Sequence, residues 1–370
     1  MPRFLSLNVL ARVKSARRRR RMDIQAIDHI EFFVEDVEKT AAYLREGFGF
    51  TLSGRGGGHP GGGESILLRQ RGIAVLLTSP AGTEGRAAEY VRDHGDGVGV
   101  IGLLVPDAAA AYAEAVGRGA TSLSPPETSG PPGARVVFAS VSAFGDVAYR
   151  LVSREQPGGA FAAFVDESGC GRSGMGLFSA VDHFAICVPG GTMADVVDYH
   201  QRVFGLGETY AERIVVGTQA MESTVVQSAS GRLTLTILEP DGNLEPGQID
   251  AFVKAHGGAG VQHVAFLTED IATAVRTSAE RGVTFLSTPG GYYDMLPGRL
   301  GPVGTPVEVL RELNILADRD QAGIMLQIFT QSPHPRRTLF YEVIERRGAN
   351  SFGSNNIHAL YDAIRRQEAD

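Results

Sequence analysis

Ile27-Asp28-His29-Ile30-Glu31-Phe32 returns later in the chain as Val181-Asp182-His183-Phe184-Ala185-Ile186. Each copy is a short strand-like run followed by a helical pattern, with Tyr43 and Phe48-Gly49 after the first and Tyr199 and Phe204-Gly205 after the second. Recurrence on this scale is the mark of a duplicated structural unit.

The match continues outward. Glu64-Ser65 precedes a hairpin turning at Gly72, as Glu222-Ser223 precedes one turning at Gly231. HGDGVGVIGLLV from His94 parallels HGGAGVQHVAFL from His256 once a single gap is allowed. Arg118-Gly119-Ala120-Thr121 parallels Arg281-Gly282-Val283-Thr284 after an amphipathic helix, and Phe144 to Arg154 parallels Thr338 to Arg346.

The expected fold is therefore α+β: tandem βαβββ modules, two in each half, forming two open, curved, barrel-like sheets. The expected organisation is a basic lead over 1–21, an N-terminal repeat domain over 22–154, a Gly/Pro/Ser-rich linker over 155–178, and a C-terminal catalytic repeat domain over 179–370. Gly54 to Gly63 reads as a loop and not a phosphate cradle, because no Lys-Ser/Thr ending follows and no helix opens there.

Net charge is -7, although residues 1–21 carry eight basic side chains and no acidic one. The remaining body is thus strongly acidic, which argues against nucleic acid as a partner. No apolar run is long enough to span a membrane. Cys170 and Cys187 cannot make a disulfide framework, and a cytoplasmic enzyme is expected.

Chemistry concentrates in Arg337 to Ile357, RTLFYEVIERRGANSFGSNNI. A period-two strand places Phe340, Glu342 and Ile344 on one face, aiming a carboxylate among apolar groups. Such a group is costly unless protonated, paired or bound to metal. Aligning the halves places His183 on His29, His263 on Val100 and Glu342 on Arg150. Only the second half then offers two imidazoles and a carboxylate, the donor set of non-haem Fe(II) oxygenases. Strand parity is expected to put Val181, His183 and Ala185 on one face, and Val261, His263 and Ala265 on another. The plainer reading makes the histidines satisfied core residues and Glu342 a buried salt-bridge partner.

With these residues in view, the chain resembles the 4-hydroxyphenylpyruvate dioxygenase family, of vicinal-oxygen-chelate type, over about Met22 to Arg366. The likeness is carried by VDHFAIC from Val181, VVGTQAMESTVVQSASG from Val215, GGAGVQHVAF from Gly257, PGGYYDML from Pro289, LQIFT from Leu326 and FYEVIERRGANSFGSNNI from Phe340. It implies that His183, His263 and Glu342 hold Fe(II), that the substrates are 4-hydroxyphenylpyruvate and O2, and that the chain is oligomeric, with a homodimer the expected form. Within the family, Ile357 after Asn356, the AMESTVVQSASG segment and Ile237-Leu238-Glu239-Pro240 resemble members that hydroxylate the benzylic carbon to 4-hydroxymandelate, a supply of 4-hydroxyphenylglycine for peptide antibiotics. The alternative is the homogentisate-forming reaction of tyrosine breakdown. A non-catalytic binding protein and a catechol-cleaving dioxygenase are more distant readings.

Further pocket candidates are Gln327, whose amide would be costly if unpaired in an apolar strand, Ser223 and Thr236 on the hairpin, Phe329 and Phe352 as stacking rings, and Asn356 with Ile357. For the hydroxyls, a bond to nearby backbone is the competing reading. Asn355 to Arg366 is expected to form an amphipathic lid helix, with Ile357, Leu360, Tyr361 and Ile364 on one face. His256, His334 and His358 read as surface or loop residues, and His29 as the structural remnant of a duplicated site.

Overall fold

The computed structural model describes residues 21–57, 63–156, 161, 165–167 and 176–358. Each half builds its sheet from two βαβββ modules. In the N-terminal half the first module gives β1 (Ala26–Phe33), β2 (Thr51–Gly57), β3 (Glu64–Gln70) and β4 (Ile73–Thr78), and the second gives β5 (Gly97–Leu104), β6 (Ser122–Ser129), β7 (Val136–Phe144) and β8 (Val147–Arg154). A short strand, β9 (Val165–Asp166), follows. The C-terminal half repeats the plan with β10 (Ala180–Cys187), β11 (Gly207–Val216), β12 (Gln219–Gln227) and β13 (Thr234–Pro240), then β14 (Gly260–Leu267), β15 (Leu316–Arg319), β16 (Ile324–Phe329) and β17 (Phe340–Arg347).

The strand orders are β6-β7-β8-β5-β1-β4-β3-β2-β9 and β11-β12-β13-β10-β14-β17-β16-β15. Read in reverse, the first is the second with β9 added at one edge. The opening strands of the two modules pair antiparallel at the centre, β1 with β5 and β10 with β14, while each pairs in parallel with its own module's last strand. The tandem fold with two open, curved sheets is as expected.

The same local chemistry starts equivalent helices in both halves. Asp107 and Asp270 accept from the backbone N–H three residues on, capping Ala108–Gly117 and Ile271–Glu280. The first helix of each half ends in a π turn at the same place, Tyr43–Gly47 and His200–Phe204. One difference lies before β15, where the C-terminal half inserts helices Gly290–Leu300 and Val307–Glu312.

The halves share one apolar core, in which Phe48, Phe178, Phe266 and Tyr341 pack ring against ring. Several expectations change here. Gly54–Gly57 belongs to β2 and is not loop, while 58–62 lie outside the described residues. The linker contributes β9, which pairs with β2 at Arg55 and Gly56, and buries Phe178. His256 and His334 are buried, not superficial: His256 stacks on His94 of the other half at 4.3 Å, and His334 Nδ1 lies 3.1 Å from Asp96. His358 is exposed, as expected.

Candidate metal centre

The central strands of the C-terminal sheet put three donors on one face through their register. His183 on β10 lies opposite Ala265 on β14, which lies opposite Glu342 on β17; alongside, Ala185 lies opposite His263, and His263 opposite Phe340. The small side chains of Ala185 and Ala265 leave the space between the three polar groups open. Nε2 of His183 and Nε2 of His263 each stand 3.2 Å from Oε2 of Glu342. All three ligand atoms fall within 4.8 Å of one another, and all three residues are buried.

Uninterrupted strand parity does not produce this geometry. The register slips between Val181 and His183 and between Ala185 and Ile186, the latter where Gln262 interrupts β14. These are β-bulges, in which one extra residue re-aims its neighbours. Val181 and Val261 consequently turn into the shared core, away from His183 and His263. The parity expected for those two valines is thus wrong, while Ala185 and Ala265 do flank the site. Each bulge also sets a polar residue beside its histidine. Asp182 Oδ1 lies 2.8 Å from His183 Nδ1, and Gln262 Oε1 lies 3.3 Å from His263 Nδ1. These contacts settle the ring orientation and leave Nε2 to face the centre.

The electrostatics suit a divalent cation. Burial opposes charging His183, yet Glu342 and Asp182 outweigh it and raise the imidazole to about 9. Burial likewise works against an ionised Glu342, but the two histidines hold it down at about 2. His263 is pushed below its ordinary value, by burial first. Glu342 Oε1 is buried with no hydrogen-bond partner among the described residues. An ionised, fully buried carboxylate oxygen left bare is the kind of group a metal satisfies.

These donors open into a cavity of about 450 Å³. Ser223, Thr236, Gln327, Phe329, Phe352, Asn356 and Ile357 all line it. Thr236 Oγ1 and Asn356 Nδ2 are buried without partners among the described residues, so the backbone-bonded alternative does not hold for Thr236. Asn356 Oδ1 lies 2.7 Å from the Tyr292 hydroxyl and accepts from Arg299 at 3.3 Å, which turns its amide nitrogen elsewhere. Gly353 takes φ +78, and a Cβ there would sit 2.2 Å from Gln327 Nε2. Ile357 belongs to an apolar wall with Cys187, Ile214, Met221 and Ile249.

Phe340, stacked on His263 at 5.0 Å, and the histidine partners Asp182 and Gln262 are members of the site not expected from the sequence. The Asp-His pair repeated in both halves was the available signal for Asp182. Tyr292 and Arg299 come from the inserted helices and have no counterpart in the repeat. Ser354–His358 are helical, and the rest of the expected lid helix, including Leu360, Tyr361 and Ile364, lies outside the described residues.

The N-terminal half shows what replaces these ligands. Arg150 Nη1 lies 2.7 Å from Glu31 Oε2 and 3.3 Å from His29 Nε2, and Thr78 donates to Glu31 at 2.7 Å. A guanidinium supplies the positive charge at the equivalent place.

Two family models, both described as the glyoxalase/bleomycin resistance protein/dioxygenase superfamily, match residues 26–146 and 182–295. A 4-hydroxyphenylpyruvate dioxygenase of Dictyostelium discoideum is 30% identical over 93% of this chain and 98% of its own length. That of Danio rerio is 31% identical, over 92% and 90%. Among solved structures, a triple mutant of 4-hydroxymandelate synthase from Streptomyces coelicolor is 38% identical, with a TM-score of 0.83, covering 94% of this chain and 100% of that one.

Proposed function

The chain belongs to the 4-hydroxyphenylpyruvate dioxygenase family, and from that premise we propose that it converts 4-hydroxyphenylpyruvate and O2 into 4-hydroxymandelate and CO2. The carrying observation is the buried His183, His263 and Glu342 set with its bare carboxylate oxygen, opening into an aromatic-lined cavity. In this reading those three side chains hold Fe(II), which supplies activation of O2 coupled to decarboxylation of the α-keto acid. One oxygen atom ends in the new carboxylate and the other in the benzylic C–H bond, so atoms balance.

The chain's own groups do the rest. Phe329, Phe340 and Phe352 exclude water and flank the substrate ring, with offset or edge contacts available on either side. Thr236 Oγ1 and Asn356 Nδ2 are unspent polar groups for the substrate's phenol or carboxylate. Ile357, in the apolar wall, limits where the ring rests and so which carbon meets the oxidant. The 38% identity to a hydroxymandelate synthase supports the benzylic outcome. Relatives named 4-hydroxyphenylpyruvate dioxygenase keep the homogentisate outcome as a second reading.

The test is anaerobic loading with Fe(II), addition of 4-hydroxyphenylpyruvate and O2, and chromatographic separation of products. 4-Hydroxymandelate is expected, and Ile357→Phe should shift product towards homogentisate. Homogentisate from the native chain would reverse the benzylic assignment, and no substrate-dependent O2 uptake would remove the catalytic reading altogether.

A further inference from the structure

Arg346, at the end of β17, bonds to two separate parts of the chain. Its Nε and Nη2 donate to the two oxygens of Asp182 at 2.7 and 2.8 Å. Asp182 is the carboxylate beside His183 Nδ1. Arg346 Nη1 donates to the carbonyls of Ala349 at 3.1 Å and Ser351 at 2.8 Å. The guanidinium also lies over the Phe352 ring, 5.0 Å from its centroid, and that ring meets His183 edge-on at 5.2 Å. Contacts therefore run in a closed loop from His183 through Asp182, Arg346 and Phe352 back to His183.

The N-terminal half contains the same loop. Arg154 donates to both Asp28 oxygens at 2.9 Å and to the Phe161 carbonyl at 2.8 Å, and lies 5.6 Å from the Phe161 centroid. Asp28 stands 2.7 Å from His29 Nδ1, and Phe161 meets His29 edge-on at 5.0 Å. There Val100 and Arg150 replace His263 and Glu342, so the loop forms where no ligand set surrounds it. In this molecule it is a device for pinning the segment that leaves the last strand. The C-terminal copy differs in that its histidine faces the candidate metal centre.

We infer that Arg346 is a positioning residue that ties the aim of the His183 imidazole to the docking of residues 349–356 over the cavity. A planar guanidinium saturates Asp182 bidentately and still has an N–H group for the segment, which a lysine ammonium cannot reproduce. The inference rests on the metal-centre reading above, and the experiment separates the two. Co(II) affinity and its visible ligand-field spectrum are measured on the full chain, together with amide hydrogen exchange over 349–358 with and without metal.

Arg346→Gln is expected to weaken Co(II) binding about 10–100-fold, the usual cost of losing support behind a ligand. It should also alter the spectrum and speed exchange of the segment in both metal states. Asp320→Asn is the counterpart, because Asp320 accepts from Asn350 and Ser351 N–H without touching the centre. It should speed exchange and, because coupling is reciprocal, weaken Co(II) binding as well, by less than Arg346→Gln does; faster exchange with wild-type affinity in this variant would overturn the tie. Faster exchange in Arg346→Gln with wild-type affinity and spectrum would overturn the inference, as would weakened binding with unchanged exchange. If that variant does not fold, Arg346→Lys serves: an unchanged spectrum with unchanged exchange overturns the coupling, and a change in both supports it. Glu342→Gln is the control for the underlying reading, which fails if that variant keeps wild-type Co(II) affinity.

Discussion

Metal loading should depend steeply on pH, because His183 must lose a proton to become a ligand. In the metal-free protein Glu342 and Asp182 hold its imidazole at about 9, against the opposing effect of burial. At pH 7 the group lies two units below that value and is roughly 99% protonated, which costs a ligand about 3 kcal/mol, or ~100-fold in apparent affinity. His263 is shifted the other way, by burial first, so little of the slope falls to it. The sign follows directly: apparent affinity rises with pH, about tenfold per unit, and flattens near 9. Competition between the protein and a chelator of known pH dependence, using Co(II) from pH 6.5 to 8.5, gives the slope. Calorimetry in buffers of different ionisation enthalpy counts protons released, and about one per metal is expected at pH 7. A flat affinity with no proton release would refute the claim that a proton on His183 holds the place of the cation.

Other outcomes follow from the same contacts. Glu342→Gln should abolish stoichiometric metal and turnover while circular dichroism stays native, and normal turnover would sink the ligand assignment. Gly353→Ala forces a Cβ to within 2.2 Å of Gln327 Nε2 at a φ of +78, so it should cost about 1–2 kcal/mol of stability and raise KM more than it lowers kcat; an unchanged melting temperature would contradict this. Arg150→Met breaks a buried pair with Glu31 and should destabilise the protein by about 3–5 kcal/mol in denaturant titration, with metal stoichiometry unaltered. A loss of metal in that variant would show that the halves are coupled at their centres.

The duplicated plan is legible because Ile27–Phe32 and Val181–Ile186 are followed by further matched segments in the same order. That His183, His263 and Glu342 meet is legible because one half serves as the reference for the other: a position that is Val in one copy and His in its twin calls for an explanation. Bulges are different. A bulge is a mismatch between two strands, and period-two reading of one strand alone assumes there is none, so Val181 and Val261 were placed on the wrong face. The burial of His256 and of the loop residue His334 is hidden for a related reason, since their partners, His94 and Asp96, lie in the other half and no local pattern reveals them. Tyr292 and Arg299 sit in an insertion that the repeat cannot interpret.

Arg150, the cation at the heart of the first sheet, is covalently part of the chain, whereas in the proposed reading the second sheet would keep a proton on His183 until a metal replaced it. Scarcity of iron should therefore leave a folded, dormant pool of protein and not an aggregate. That pool should become active within the mixing time when Fe(II) is returned to chelator-treated protein, and activity that came back only after denaturation and refolding would contradict it.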